Sequence, residues 1–177
     1  MNWPAEILSF WFQELDPEDW WAKSDATDDQ IRKRFLELWE EQKSKTADDF
    51  LNSPEATLAA VILFDQFPRN MFRESADAYS TDHLAQQIAE KAVDLELDAQ
   101  LPEDRRAFLY MPFMHAEDMR LQTKSVALFT KLGSNEKFAN EHRDVIAQFG
   151  RFPHRNKVLG RQNRPGEQAA IDNGASW

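Results

Sequence analysis

The chain contains no cysteine, which excludes disulfide staples, thiolate nucleophiles, cysteine-ligated zinc ribbons and iron–sulfur clusters. Glycine is nearly as scarce. Its 5 copies, Gly133, Gly150, Gly160, Gly166 and Gly174, all lie in the last quarter, so nothing before them takes positive φ freely. Tight β-hairpins and phosphate-cradling glycine loops are therefore disfavoured over most of the chain. Long apolar runs are missing too: the longest, Leu58 to Phe64, has 7 residues, against roughly 20 for a bilayer-spanning helix. The opening MNWPAEILSFWF carries neither a basic n-region nor a small-residue cleavage site, so a cytoplasmic protein without a membrane partner is expected. Basic residues are in deficit, 21 Lys and Arg against 31 Asp and Glu for a net charge of -10. Sequence-independent attraction to nucleic acid or anionic lipid is disfavoured accordingly.

Prolines and short polar caps punctuate segments whose apolar residues recur three and four apart, which predicts an all-α fold. Helices are expected near 4–14, 28–44, 47–52, 54–67, 81–97, 102–115, 116–132, 135–149 and 165–171. Thr27 with Gln30 reads as a capping box, Ser53-Pro54 as an N-cap followed by proline in the first turn, and Gly133 as a helix terminator. Segment 54–67 is apolar around almost its whole circumference and should form the most buried helix. At 177 residues a single domain over 1–177 is expected, burying roughly 70% of its unfolded surface. A more irregular polar tail from about 157 ends in Trp177 and should run over the surface.

Charge is unevenly shared. Residues 1–60 carry 14 acidic and 6 basic side chains, whereas 143–164 hold Arg143, Arg151, Arg155, Lys157, Arg161 and Arg164 against Asp144 alone. This basic island either pairs with the acidic half or binds an anion. A quasi-repeat overlaps it: FDQFPRN at 64–70 and FGRFPHRN at 149–156 share Phe-x-x-Phe-Pro followed by Arg and Asn. Proline disfavours helix in the residue before it, so each motif should end a helix and turn sharply.

Helical phase singles out polar side chains on apolar faces, which must find a partner or a purpose. Asp65 falls within about 40° of the line through Leu58, Val61 and Ile62. His142 shares a stripe with Phe138, Val145 and Phe149. His115, Asp118, Gln122 and Ser125 fall within about 80° of one another on a line that continues as Val126 and Phe129. Glu117 falls outside it, and Pro112 leaves the helix start there uncertain. Together, Asp65, Arg69, His115, Asp118, Gln122, His142, Arg151, His154 and Arg155 are more polar groups than a domain of this size buries without a cleft. No HExxH or paired Glu-x-x-His occurs, so spacing indicates no metal site, and no cofactor or oligomeric state is indicated.

Three readings follow. The first is a binding protein whose cleft takes a small anionic ligand or an acidic peptide end on Arg69, Arg151 and Arg155, since guanidinium forks suit carboxylate or phosphate. The second is a small hydrolase or lyase with His115 and His142 as general acid and base, oriented by Asp118 or Asp65. The third is a buried polar network that ties helices together in a protein whose aromatic groove serves a protein partner.

The stretches DQFPRNMFR, RRAFLYMPFMHAED and HRDVIAQFGRFPHRNKVLGR, with the early LSFWF and WWAKSDATDDQIRKRF, closely resemble a bacterial family, domain of unknown function nine hundred and twenty-four. The resemblance runs nearly end to end. It implies a tetratricopeptide-like helical-repeat superhelix, with antiparallel helix pairs around a concave groove. It also implies site roles for Asp65, Gln66, Arg69, Asn70, His115, Glu117, His142, Arg151, His154, Arg155, Asn156 and Arg161. Glu117 is thus placed at the site by the resemblance and outside it by phase. The chain departs from the family pattern at Gln162-Asn163, where small hydroxyl residues are usual.

Overall fold

The computed structural model describes residues 2–175, and among them the regular elements are all helical. Helix α1 (Trp3–Ser9) widens into a π turn at Phe10–Glu14, and α2 (Asp25–Gln42) follows. Ser24, three residues ahead of the capping-box Thr27 read from the sequence, caps α2 by accepting from the Thr27 backbone N–H at 3.2 Å. The helix accordingly starts before 28. Ser53 caps α3 (Pro54–Val61) as expected, accepting from the Ala56 N–H at 3.1 Å.

The first proline corner differs from expectation. Helix α3 does not stop there but passes through a π turn, Ile62–Gln66, into α4 (Phe67–Met71). Proline is tolerated because Pro68 falls in the first turn of the renewed helix, where its missing N–H has no essential partner. One turn back, the Phe64 carbonyl accepts from Thr81 Oγ1 at 2.7 Å, and Thr81 Oγ1 accepts from Trp39 Nε1 at 3.2 Å. Every residue from Thr57 to Pro68 is buried, as the all-round apolar pattern predicts.

The later helices are α5 (Asp82–Asp94), α6 (Glu103–Met114), α7 (Met119–Leu132), α8 (Glu136–Phe149) and the short α9 (Glu167–Asp172). Helix α3 packs on α1, α5 and α6, while α6, α7 and α8 pack in succession. Gly133 ends α7 and Gly150 ends α8, each left-handed with φ of 74° and 71°. The second corner therefore does stop its helix, and Pro153 opens a single 3₁₀ turn, Pro153–Arg155. The polar tail runs through turns to α9, whose Glu167 is fully buried; Trp177 lies outside the described residues. The core joins Phe10, Trp11, Phe35, Phe64, Phe67 and Phe108 with the aliphatic residues of α3. Each fully buried phenylalanine contributes about 1.5–3 kcal/mol. Among the described residues no helix is long and apolar enough to cross a membrane.

Candidate functional site

A cleft of about 750 Å³ opens between the α1–α2 connection, the first corner, the end of α6, α8 and the second corner. Seven of the side chains expected at a site line it: Gln66, Arg69, Asn70, His115, His142, His154 and Arg155. Asp65 lies directly behind them, fully buried. The π turn carries Asp65 and Gln66, and α4 carries Arg69 and Asn70. π turns recur at functional sites because they re-aim side chains without ending the helix.

Asp65 is the hub of the first half. Its two oxygens accept from His115 Nδ1–H at 2.8 and 2.9 Å, one also accepts from Gln66 Nε2 at 2.5 Å, and Arg69 lies 3.5 Å away. Burial pushes this carboxyl upward, but the charges of Arg69 and His115 and the hydrogen bonds from His115 and Gln66 outweigh it and hold it at about 2. An ionised carboxylate only accepts, so the His115 proton belongs on Nδ1 and Nε2 is the bare nitrogen. His115 itself is lowered, chiefly by burial and secondarily by Arg69, against the pull of Asp65. It is neutral near pH 7.

The second half centres on Arg155, which is 6% exposed. Its guanidinium lies 4.5 Å from the ring centres of both Tyr79 and Phe152. Its carboxylate contact is Asp82, 3.4 Å from Nη1. That same carboxylate already takes both Nη atoms of Arg69, at 2.9 and 3.0 Å. Arg155 Nε is buried without a hydrogen-bond partner among the described residues. Burial, reinforced by the charge of Arg69, lowers the Arg155 pKa, whereas the Asp65 and Asp82 charges overcome burial and raise that of Arg69. His142 donates from Nδ1 to the Phe138 carbonyl at 2.8 Å, and burial, then His115, lowers it to about 3. His154 is lowered to about 4 by burial and then by Arg155. At the cleft mouth Trp21 and Phe138 are 63% and 49% exposed.

Other candidates lie elsewhere. Asp118 is the N-cap of α7, accepting from the Arg120 and Leu121 N–H groups at 2.7 and 3.1 Å, and it orients neither histidine. The helical phase misled because His115 ends α6, so a turn separates it from α7. Gln122 is buried but donates to the Met114 and Ala116 carbonyls at 2.7 and 2.8 Å, bracing that turn. Glu117 neither faces solvent freely nor lines the cleft: it accepts from the Phe152 N–H at 2.7 Å and from both Arg161 Nη atoms at 2.7 and 2.9 Å. Arg151 is withdrawn from the cleft by two 2.8 Å bonds to Glu167, which also accepts from Asn156 at 2.9 Å. Arg151 is the main cause that lowers Glu167 to about 2.

Among the described residues the basic island thus pairs with Asp144, Glu167, Asp82 and Glu117, and not with the acidic first 60 residues. Gln162 accepts through its carbonyl from Arg151, and Asn163 accepts through its side-chain oxygen from Asn156. Asp82 and Tyr79 were not anticipated. An acidic residue in the first turn of a helix reads as a response to the helix dipole, which hid Asp82. For Tyr79 the sequence offers no signal. Among the described residues no group of three His, Asp or Glu side chains is arranged to hold a metal ion.

The solved structure of ATU0120, a protein of unknown function from Agrobacterium tumefaciens, is 39% identical, superposes with a TM-score of 0.91 and shares 97% coverage of both chains. No curated protein matches. The model of a family described as bacterial protein of unknown function, DUF924, matches residues 7–175. The two corners, the α6 end that carries His115 and the α8 stripe all fall inside that span, and the chain belongs to this family.

Proposed function

We propose that the protein binds a small organic anion in the cleft, the acidic group on Arg155 and an apolar, flat body against Trp21 and Phe138. The observation that carries this is Arg155 itself: a buried guanidinium with one long contact to an aspartate that Arg69 already occupies. A buried cation left so poorly matched is costly unless a counter-charge arrives. A carboxylate or phosphate supplies one, and the guanidinium edge suits either.

The exposed aromatic wall supports an organic ligand over a bare inorganic ion, since apolar lining with a few convergent polar groups is the usual character of small-molecule sites. Of the three arginines expected to grip the ligand, Arg155 is the one with spare capacity. Arg69 is spent on Asp82, and Arg151 on Glu167.

Thermal shift measures this directly, because a ligand that binds the native state raises stability by mass action. Benzoate and phenyl phosphate are expected to raise the wild-type melting temperature more than acetate or inorganic phosphate. Arg155→Gln should abolish that shift. Equal shifts in both proteins count against the site.

A second reading, a polar network that only ties helices together, is favoured by the closed bonding of Glu117, Arg151, Asn156 and Arg161. It explains those four residues and leaves Arg155 unexplained. It predicts no ligand shift at all.

A further inference from the structure

The ligand-binding reading explains Arg155 but gives His115 no task. His115 sits at the last turn of α6 with 16% of its side chain exposed, and its ring lines the cleft. Both Asp65 oxygens hold its Nδ1–H. Nε2, on the other edge of the ring, has no hydrogen-bond partner among the described residues. This is the arrangement a general base needs: a carboxylate fixes the tautomer and stabilises the imidazolium that forms, while the second nitrogen faces the substrate. A histidine kept only for packing needs one partner and no opening to a cleft. Asp65 is not spare either, because the π turn holds it fully buried under the imidazole.

The same contact chain links the base to the anion site. Asp65 lies 3.5 Å from Arg69, Arg69 lies 2.9 Å from Asp82, and Asp82 lies 3.4 Å from Arg155. A ligand anchored on Arg155 therefore lies in the cleft that His115 lines. The chain has no cysteine, and Ser125 is fully buried and outside the cleft lining. Among the described residues no serine, threonine or cysteine lines the cleft, so such a base acts on water.

We propose that His115 is the general base of a hydrolase acting on carboxylate-bearing esters, with Asp65 as its positioning residue. Nε2 takes a proton from water as the water oxygen bonds to the ester carbonyl carbon. The ester C–O bond then breaks, and the leaving oxygen recovers the proton from Nε2–H, giving an acid and an alcohol or phenol. Arg155 binds the substrate's carboxylate and stays outside the bond changes. The proposal rests on the anion-binding reading of the same cleft.

The test uses 4-acetoxybenzoate, a flat ester whose carboxylate lies too far from its own acetyl group to assist, with release of 4-hydroxybenzoate followed by absorbance. Phenyl acetate is the control without an anion. Wild-type protein is expected to hydrolyse 4-acetoxybenzoate in preference to phenyl acetate. His115→Gln should lower kcat by about 10²–10⁴-fold while the benzoate thermal shift persists, and Arg155→Gln should raise KM. Should His115→Gln fail to fold, ethoxyformylation of wild type serves instead: activity should fall, return with hydroxylamine, and be protected by benzoate. Benzoate binding without hydrolysis above the buffer rate, or full activity in His115→Gln, overturns the base and leaves the binding site standing. Hydrolysis lost in His115→Gln but indifferent to Arg155→Gln overturns the anion site and leaves the base.

Discussion

The two proline corners use nearly the same residues to opposite ends. In each, an arginine reaches Asp82, Arg69 from the first and Arg155 from the second. In each, the following asparagine bonds a buried acid that a further arginine shares: Asn70 and Arg73 on Asp28, Asn156 and Arg151 on Glu167. The first corner stays helical and its arginine is fully matched. The second ends its helix on a left-handed glycine, and its arginine receives what Asp82 has left. Two copies of one local grammar thus yield one structural tie and one open cation, and the difference lies in which guanidinium holds the shared carboxylate through both Nη atoms.

Removing that carboxylate should erase the distinction. Asp82→Ala leaves the buried Arg155 and the partly buried Arg69 without their common partner and is expected to cost about 3–5 kcal/mol in urea unfolding. Gly150→Ala acts on the second corner alone. No side chain crowds the position, so its cost is the left-handed backbone at φ of 71°, about 1–2 kcal/mol, and the first corner should keep its hydrogen-exchange protection.

Acid should also separate the corners, because the second carries His154 and the first carries no histidine. Burial holds His154 at about 4 in the folded protein, below its unfolded value near 6.5. The unfolded chain therefore binds the extra proton between these values, so stability falls as pH drops from about 6.5 toward 4. His154→Gln should make that slope shallower in a series of melting curves, leaving the part that His115 and His142 contribute. Arg155→Gln should have the smallest effect on stability, less than about 1 kcal/mol and of either sign, since it removes a strained buried cation. It should nevertheless remove the benzoate response.

Much of this was legible beforehand. The unbroken apolar circumference of 54–67 marked the central helix, and the Gly133 and Gly150 stops fall where the sequence places them. The inward His142 and the core-facing Asp65 were found by phase alone. Phase failed at Asp118, because a turn between His115 and α7 resets the angular count. The proline rule, not phase, failed at Pro68, because a π turn puts Pro68 in the first turn of a renewed helix and leaves no mark in the sequence. Glu117 was placed at the site by the family resemblance alone, against phase, whereas Arg151 looked like a site residue because its partner Glu167 is 16 positions away, beyond any local rule. Asp82 was invisible for the same reason.

The π turn at Ile62–Gln66 carries one further implication, for how the chain can change over evolution. A widened turn accommodates an additional residue without breaking the helix. Deleting one residue there is absorbed when the turn closes to ordinary α geometry, whereas deleting a second would rotate everything beyond it by about 100°, swinging Arg69 off Asp82 and Asn70 off Asp28. The interval from Leu58 to Arg69 is thus a spacer with one residue of slack in its length and none at Asp65, which has to keep its place under His115.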